Sequence, residues 1–193
     1  MGGNYVGNAA TFLIGTLFFL YILIVMLRFL LQLVRADFYN PVSQFLVKAT
    51  QPPLSVLRRI VPGLAGIDLS SVVLMLALKF IELWLIFEIL GRAPGVGGLL
   101  VLSIAELLAL LINVFVFSIL IQVIISWINP GSYNPVMSLL HSLNEPLLAP
   151  ARRIIPPISG LDLSPIAVLI GLQLVSILLV APIRDMGRAM IMG

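Results

Sequence analysis

The sequence predicts an all-α membrane protein, with four transmembrane helices arranged as two parallel-repeat hairpins, each carrying an interfacial amphipathic connector. Three observations predict it. Hydrophobic residues make up 61% of the 193 and charged residues 10%, where a soluble domain carries about 25% charged. The mean hydropathy is +1.17, so polar residues are too few to cover the chain and its solvent must be lipid. The third observation is a gapless internal repeat with a spacing of 94 residues.

Four apolar stretches meet the requirement of roughly 20 helical residues for a crossing: 9–34, 71–90, 99–128 and 165–183. The first follows a start without Lys or Arg before Arg28. It is expected to be a retained span, because a secretory leader needs a basic n-region and a shorter apolar core. Val6 fails the myristoylation pattern. Residues 91–98, rich in Gly and Pro, read as a tight reversal between the second and third spans.

Segments 35–68 and 129–162 are too long for turns and too apolar for solvent loops. They are copies of each other. Tyr39-Asn40-Pro41-Val42 falls on Tyr133-Asn134-Pro135-Val136, Arg58-Arg59-Ile60 on Arg152-Arg153-Ile154, and Asp68-Leu69-Ser70 on Asp162-Leu163-Ser164. Between Tyr39 and Ser70, 15 of 32 positions are identical, which marks a duplicated unit. The units are 1–94 and 95–193. Two spans per unit return the chain to its starting side, so the second unit inserts the same way up.

Asn followed by Pro is a helix start. Val136, Leu139, Leu140 and Leu143, and in the first unit Val42, Phe45, Leu46 and Ala49, then form an apolar stripe. The expected elements are short amphipathic helices lying in the interface or on the bundle end, ended by Pro52-Pro53 and Pro146. A second short element is expected to hold the Arg pairs. Guanidinium groups at this depth bind lipid phosphates, so Arg58, Arg59, Arg152, Arg153, Tyr133 and Asn134 are candidate lipid- or partner-binding residues. Their plainer role is a topology signal with salt bridges to Asp68 and Asp162. Ser70 and Ser164 are expected to cap the next spans.

Lys79, Glu82, Glu88 and Glu106 are charges inside spans, and each needs a reason. Glu88 reaches water at its span end. Glu82 and Glu106 both lie about 11 Å deep from the same surface, and Lys79 is one turn below Glu82. These three are expected to form one buried cluster joining the two units, with an ion or proton path as the other reading. His141 is the sole histidine and lacks evident metal partners. Catalytic triads, phosphate loops and zinc motifs are absent, and so are cysteines. No metal or cofactor is expected, nor an enzyme, nor a nucleic-acid partner. The net charge of +3 is ordinary for topology and lipid contact.

Ser126-Trp127-Ile128-Asn129-Pro130, the two Tyr-Asn-Pro motifs, the Glu-Pro-Leu-Leu-Ala-Pro-Ala-Arg-Arg-Ile-Ile-Pro-Pro run at 145–157 and Gly-Leu-Asp-Leu-Ser-Pro at 160–165 resemble the YggT family, including the YlmG group. The likeness covers nearly the whole chain and is nearest to the two-repeat enterobacterial form. The first unit departs from it, with Val34-Arg35-Ala36 in place of Ile128-Asn129-Pro130. The resemblance implies a multi-pass inner-membrane protein linked to osmotic-stress tolerance, division-gene neighbourhoods and, in plastids, cytochrome assembly and nucleoid distribution. It implies no catalytic residues. The expected function is therefore a non-catalytic factor binding membrane lipids, other membrane proteins or a second copy of itself. The alternative is a small oligomeric ion channel or transporter acting under osmotic shock. Six basic residues in the connectors against three on the other face predict cytoplasmic connectors and periplasmic termini.

Overall fold

Helix α1 (Tyr5–Leu33) runs 29 residues without a proline or a carboxylate. The computed structural model, which describes residues 5–63, 66–128, 134–155 and 162–192, continues with α2 (Pro41–Leu57), α3 (Leu69–Ile89), α4 (Val96–Ile128) and α5 (Pro135–Ile154). A last helical run comprises α6 (Ser164–Val175), a π-helical turn (Ser176–Val180) and α7 (Ala181–Met192). Among the described residues all regular elements are helices. Three stretches are long and apolar enough to cross a membrane: Tyr5–Leu33, Val96–Ile128 and Ser164–Ile191. Their outer faces expose large apolar side chains, among them Phe12, Phe117 and Leu178.

α1 ends in a Schellman motif. The Ala36 amide donates to the Leu31 carbonyl at 2.9 Å and the Arg35 amide to the Gln32 carbonyl at 3.1 Å. Arg35 occupies the left-handed position (φ 53°), where glycine is usual and a side chain costs roughly 1–2 kcal/mol.

The connectors are single helices. α2 passes through Pro52-Pro53 and α5 through Pro146 and Pro150, so proline does not end them as expected. In α2 the physical reason is visible. Pro53 has no amide for the Ala49 carbonyl, and the Tyr21 hydroxyl donates to that carbonyl at 3.4 Å instead. The expected second short element is accordingly absent among the described residues. Arg58-Arg59 follow α2 in its closing turn, and Arg152-Arg153 lie in the last turn of α5. The N-caps are as the motif requires. Asn40 Oδ1 accepts from the Val42 amide and Asn134 Oδ1 from the Val136 amide, both at 2.9 Å.

The next helices are entered through aspartate. Ser71 Oγ donates to Asp68 Oδ2 at 2.9 Å, and the Ser164 amide donates to Asp162 Oδ1 at 2.9 Å. Ser70 is not a cap. Its hydroxyl donates to the Val61 carbonyl at 2.6 Å, tying the connector's end to the base of α3.

α1 packs on α2 and α3, and α4 packs on α3, α5, α6 and α7. One buried apolar cluster draws on α1, α2, α3, α4 and α5, with Ile22, Met26, Leu46, Met75, Val114 and Leu143 among its members. The two units therefore share a core. Asn40 Nδ2 also donates to the Pro135 carbonyl at 2.7 Å, linking the start of one connector to the other.

The glycine-rich stretch read as a reversal is partly helical. Gly91 (φ +69°) makes the turn, but α4 already begins at Val96. Gly98 then faces α7. A Cβ there would stand 2.6 Å from Ile191 Cγ1 and 3.1 Å from the Ile191 amide nitrogen. One on Gly187 would stand 2.8 Å from the Leu102 amide nitrogen. The α4–α7 contact is thus backbone against backbone at two glycines, the close approach that small residues allow between helices in lipid. Gly187→Ala should cost roughly 1–3 kcal/mol and lower the melting temperature in detergent. Gly98→Ala should cost less, because a side-chain carbon can yield. Gly171→Ala, with nothing within 4 Å, should leave the melting temperature unchanged or raise it. Equal melting temperatures for all three variants would refute the close contact.

Candidate functional site

The polar chemistry gathers where each long helix meets its connector. Arg28 is buried on α1. It donates from Nη1 to Thr50 Oγ1 at 2.6 Å and from Nη2 to Gln51 Oε1 at 3.1 Å, both on α2. The 94-residue shift carries Arg28 to Gln122 and Thr50 to Asn144. That pair is also in contact, with Asn144 Nδ2 donating to Gln122 Oε1 at 2.7 Å. Ser118 Oγ adds a bond to Asn144 Oδ1 at 2.6 Å. Thr50 and Asn144 are both wholly buried. Neither anchor is among the site residues expected from the sequence, and Arg28 is a further charge inside the first span. The repeat itself would have found them, since two aligned polar pairs change together.

Of the paired arginines, one in each unit is held internally. Arg58 Nη2 donates to Asp68 Oδ2, and Arg152 Nε donates to Asp162 Oδ2 at 2.9 Å. Arg152 Nη1 also reaches Glu145 Oε2 at 3.0 Å, and His141 Nδ1 lies 3.7 Å from the same oxygen. Burial pushes the Asp68 carboxyl up, but hydrogen bonds from Arg58 and Ser71 and the Arg58 charge outweigh it and hold the group below its ordinary value. Asp162 behaves alike. Burial raises it, and the bonds from Ser164 and Arg152 bring it below the usual range. Arg152 is itself raised. Burial lowers it, and its bonds to Asp162 and Glu145 more than compensate.

Arg59 and Arg153 are exposed, beside the exposed Ile60 and Ile154. Asn134 is exposed at the start of α5, while its counterpart Asn40 is buried. Tyr133 lies outside the described residues, as do Asn129 and Pro130. Its first-unit counterpart, Tyr39, is exposed.

A cavity of about 920 Å³ opens in the first unit, among α1, α2 and the turn before α3. Its lining includes Arg28, Arg35, Ser43, Arg58 and Asp68.

The expected cluster of Lys79, Glu82 and Glu106 is distributed over two ion pairs. Lys79 Nζ lies 2.6 Å from Glu82 Oε2 within α3, and both residues are buried. Glu106 of α4 is drawn to Arg184 of α7, with Arg184 Nε 2.9 Å from Glu106 Oε1. Arg184 is one of the three basic residues on the face opposite the connectors, and its helix brings it to the carboxylate. The Glu106 charge is still close enough to act on Glu82. Among the described residues no group of three or more His, Cys, Asp or Glu side chains is placed to hold a metal ion.

Comparison with known proteins finds the CCB3/YggT family model matching twice, over residues 7–89 and 101–183, which reproduces the 94-residue spacing. The chain is 49% identical over 177 residues to an uncharacterised protein of Pseudomonas aeruginosa, covering 90% of this chain and 89% of that one. It is 45% identical over 175 residues to a Vibrio alginolyticus protein named for the 3' region of proC, covering 89% and 94%. It is 34% identical over 189 residues to YggT of Escherichia coli K12, covering 96% and 97%. No solved structure matches.

Breaking a buried pair by removing one partner typically costs 3–5 kcal/mol, while removing both costs less. Lys79→Met should therefore lower the melting temperature in detergent, and Lys79→Met with Glu82→Gln should recover part of the loss. A double variant no more stable than the single one would show that the pair is not coupled.

Proposed function

The chain belongs to the CCB3/YggT family, and from that premise we propose that it is a non-catalytic inner-membrane factor that binds anionic lipid through its two connectors. The observation that carries this reading is the division of labour within each Arg pair. Arg58 and Arg152 are held by aspartates. Arg59 and Arg153 are exposed beside exposed isoleucines. An exposed guanidinium next to apolar surface is suited to the level of lipid phosphates, and its planar fork binds a phosphate bidentately.

On this reading α3 is the fourth crossing. Its 21 residues extend about 30 Å at 1.5 Å per residue, the thickness of the hydrocarbon, and its two mid-helix charges are paired with each other. The four helices form two hairpins inserted the same way up, and both connectors lie in one interface. Arg28, bonded to α2, adds to the positive charge already on the connector side, so that side is cytoplasmic and the termini periplasmic. A C-terminal reporter active only in the cytoplasm should be silent. Activity from it would reverse the orientation.

The lipid reading is tested by purifying the full-length protein from bacterial membrane and weighing the lipids that accompany it. Arg59→Gln with Arg153→Gln should retain several-fold less phosphatidylglycerol and cardiolipin at an unchanged melting temperature. The same variant should fail to restore growth at raised osmolarity to a strain lacking the protein. Wild-type lipid retention by that variant would refute the reading.

A further inference from the structure

We propose that the cavity of the first unit is a binding site for a phosphate group, carried by a lipid headgroup or free in solution. The proposal deepens the lipid-binding reading and rests on it. Three guanidinium-bearing residues line the cavity, Arg28, Arg35 and Arg58, against one carboxylate, Asp68. Two positive charges are in excess, as a phosphate dianion requires. The charges of Arg28, Arg58 and Asp68 lie within electrostatic range of one another. Arg28 is buried and Arg35 exposed, so the cavity's lining runs from surface to interior.

The second observation is Ser43. It is 7% exposed, lines the cavity, and its Oγ has no hydrogen-bond partner among the described residues. A buried hydroxyl left unpaired is costly, and a ligand oxygen in the cavity would accept its proton. Ser43 stands in the first turn of α2, the end of a 17-residue helix that favours negative charge.

The repeat supplies an internal control. At the corresponding positions the second unit has Gln122, Asn129, Met137, Arg152 and Asp162. There the two extra arginines and the serine are gone, and Arg152 remains held by Asp162 and Glu145. The departure of Val34-Arg35-Ala36 from the second unit's Ile128-Asn129-Pro130 therefore adds a cation to the first cavity. One phosphate group per chain is expected.

Full-length protein in a neutral maltoside detergent is titrated calorimetrically with inorganic phosphate and, separately, with short-chain phosphatidate. One equivalent of inorganic phosphate should bind. Arg35→Gln should weaken binding about tenfold, the typical effect of losing one charge-assisted hydrogen bond, and Arg35→Gln with Ser43→Ala should weaken it further. Arg92→Gln, on the exposed reversal between α3 and α4, should bind both probes as the wild type does. Inorganic phosphate binding as tightly as phosphatidate identifies the free ion as the ligand, and phosphatidate alone binding identifies the headgroup. If Ser43→Ala does not fold, Arg35→Gln decides, since Arg35 is exposed. Wild-type affinity in the Arg35→Gln variant, or no binding of either probe by the wild type, overturns the site. Lipid retention that depends on Arg59 and Arg153 would then still stand. Conversely, phosphate binding that depends on Arg35, with lipid retention indifferent to Arg59 and Arg153, keeps the cavity and removes the connector reading.

Discussion

Each connector is lashed to its long helix by a buried polar contact, and the rest of the architecture follows from that constraint. A connector helix in an interface is free to roll or lift unless something fixes its rotation. Thr50 against Arg28, and Asn144 against Gln122 and Ser118, supply that fixed point in the two units. Thr50 and Asn144 are wholly buried, so these bonds meet little competition from water and leave an expensive orphan if broken. Once the rotation is set, Leu54 and Leu148 turn inward and are buried, while Arg59 and Arg153 face outward.

The same economy governs the charges. Arg58 and Arg152 meet aspartates ten residues ahead, Lys79 meets Glu82, and Glu106 meets Arg184. The last pair bridges α4 and α7, close to the glycines at which those helices touch. An excess of positive charge also gathers inside the first unit, where Arg35 joins Arg28 and Arg58 around a single carboxylate. Duplication gave two copies of one scaffold, and divergence left Gln122 and Asn129 in one copy where the other has Arg28 and Arg35.

The sequence by itself determined the lipid solvent, the duplication and the Asn-Pro helix starts, and it offered the pairing of Arg58 and Arg152 with Asp68 and Asp162 as one of two roles for those arginines. Those are set by composition, by identity at fixed spacing and by separations short enough for the chain to close locally. The tertiary structure alone decided the rest. Pro52-Pro53 did not stop α2, because Tyr21, 28 residues before Ala49, serves the freed Ala49 carbonyl, and no local rule contains that hydroxyl. Gly98 became a packing surface and not a loop, because Gly187 of a distant helix shares its contact. Glu106 found Arg184 across 78 residues. The cavity holding Arg28, Arg35, Ser43 and Arg58 exists only when α1, α2 and the turn before α3 meet, because volume and unpaired hydroxyls belong to the space between elements and are written in none of them singly.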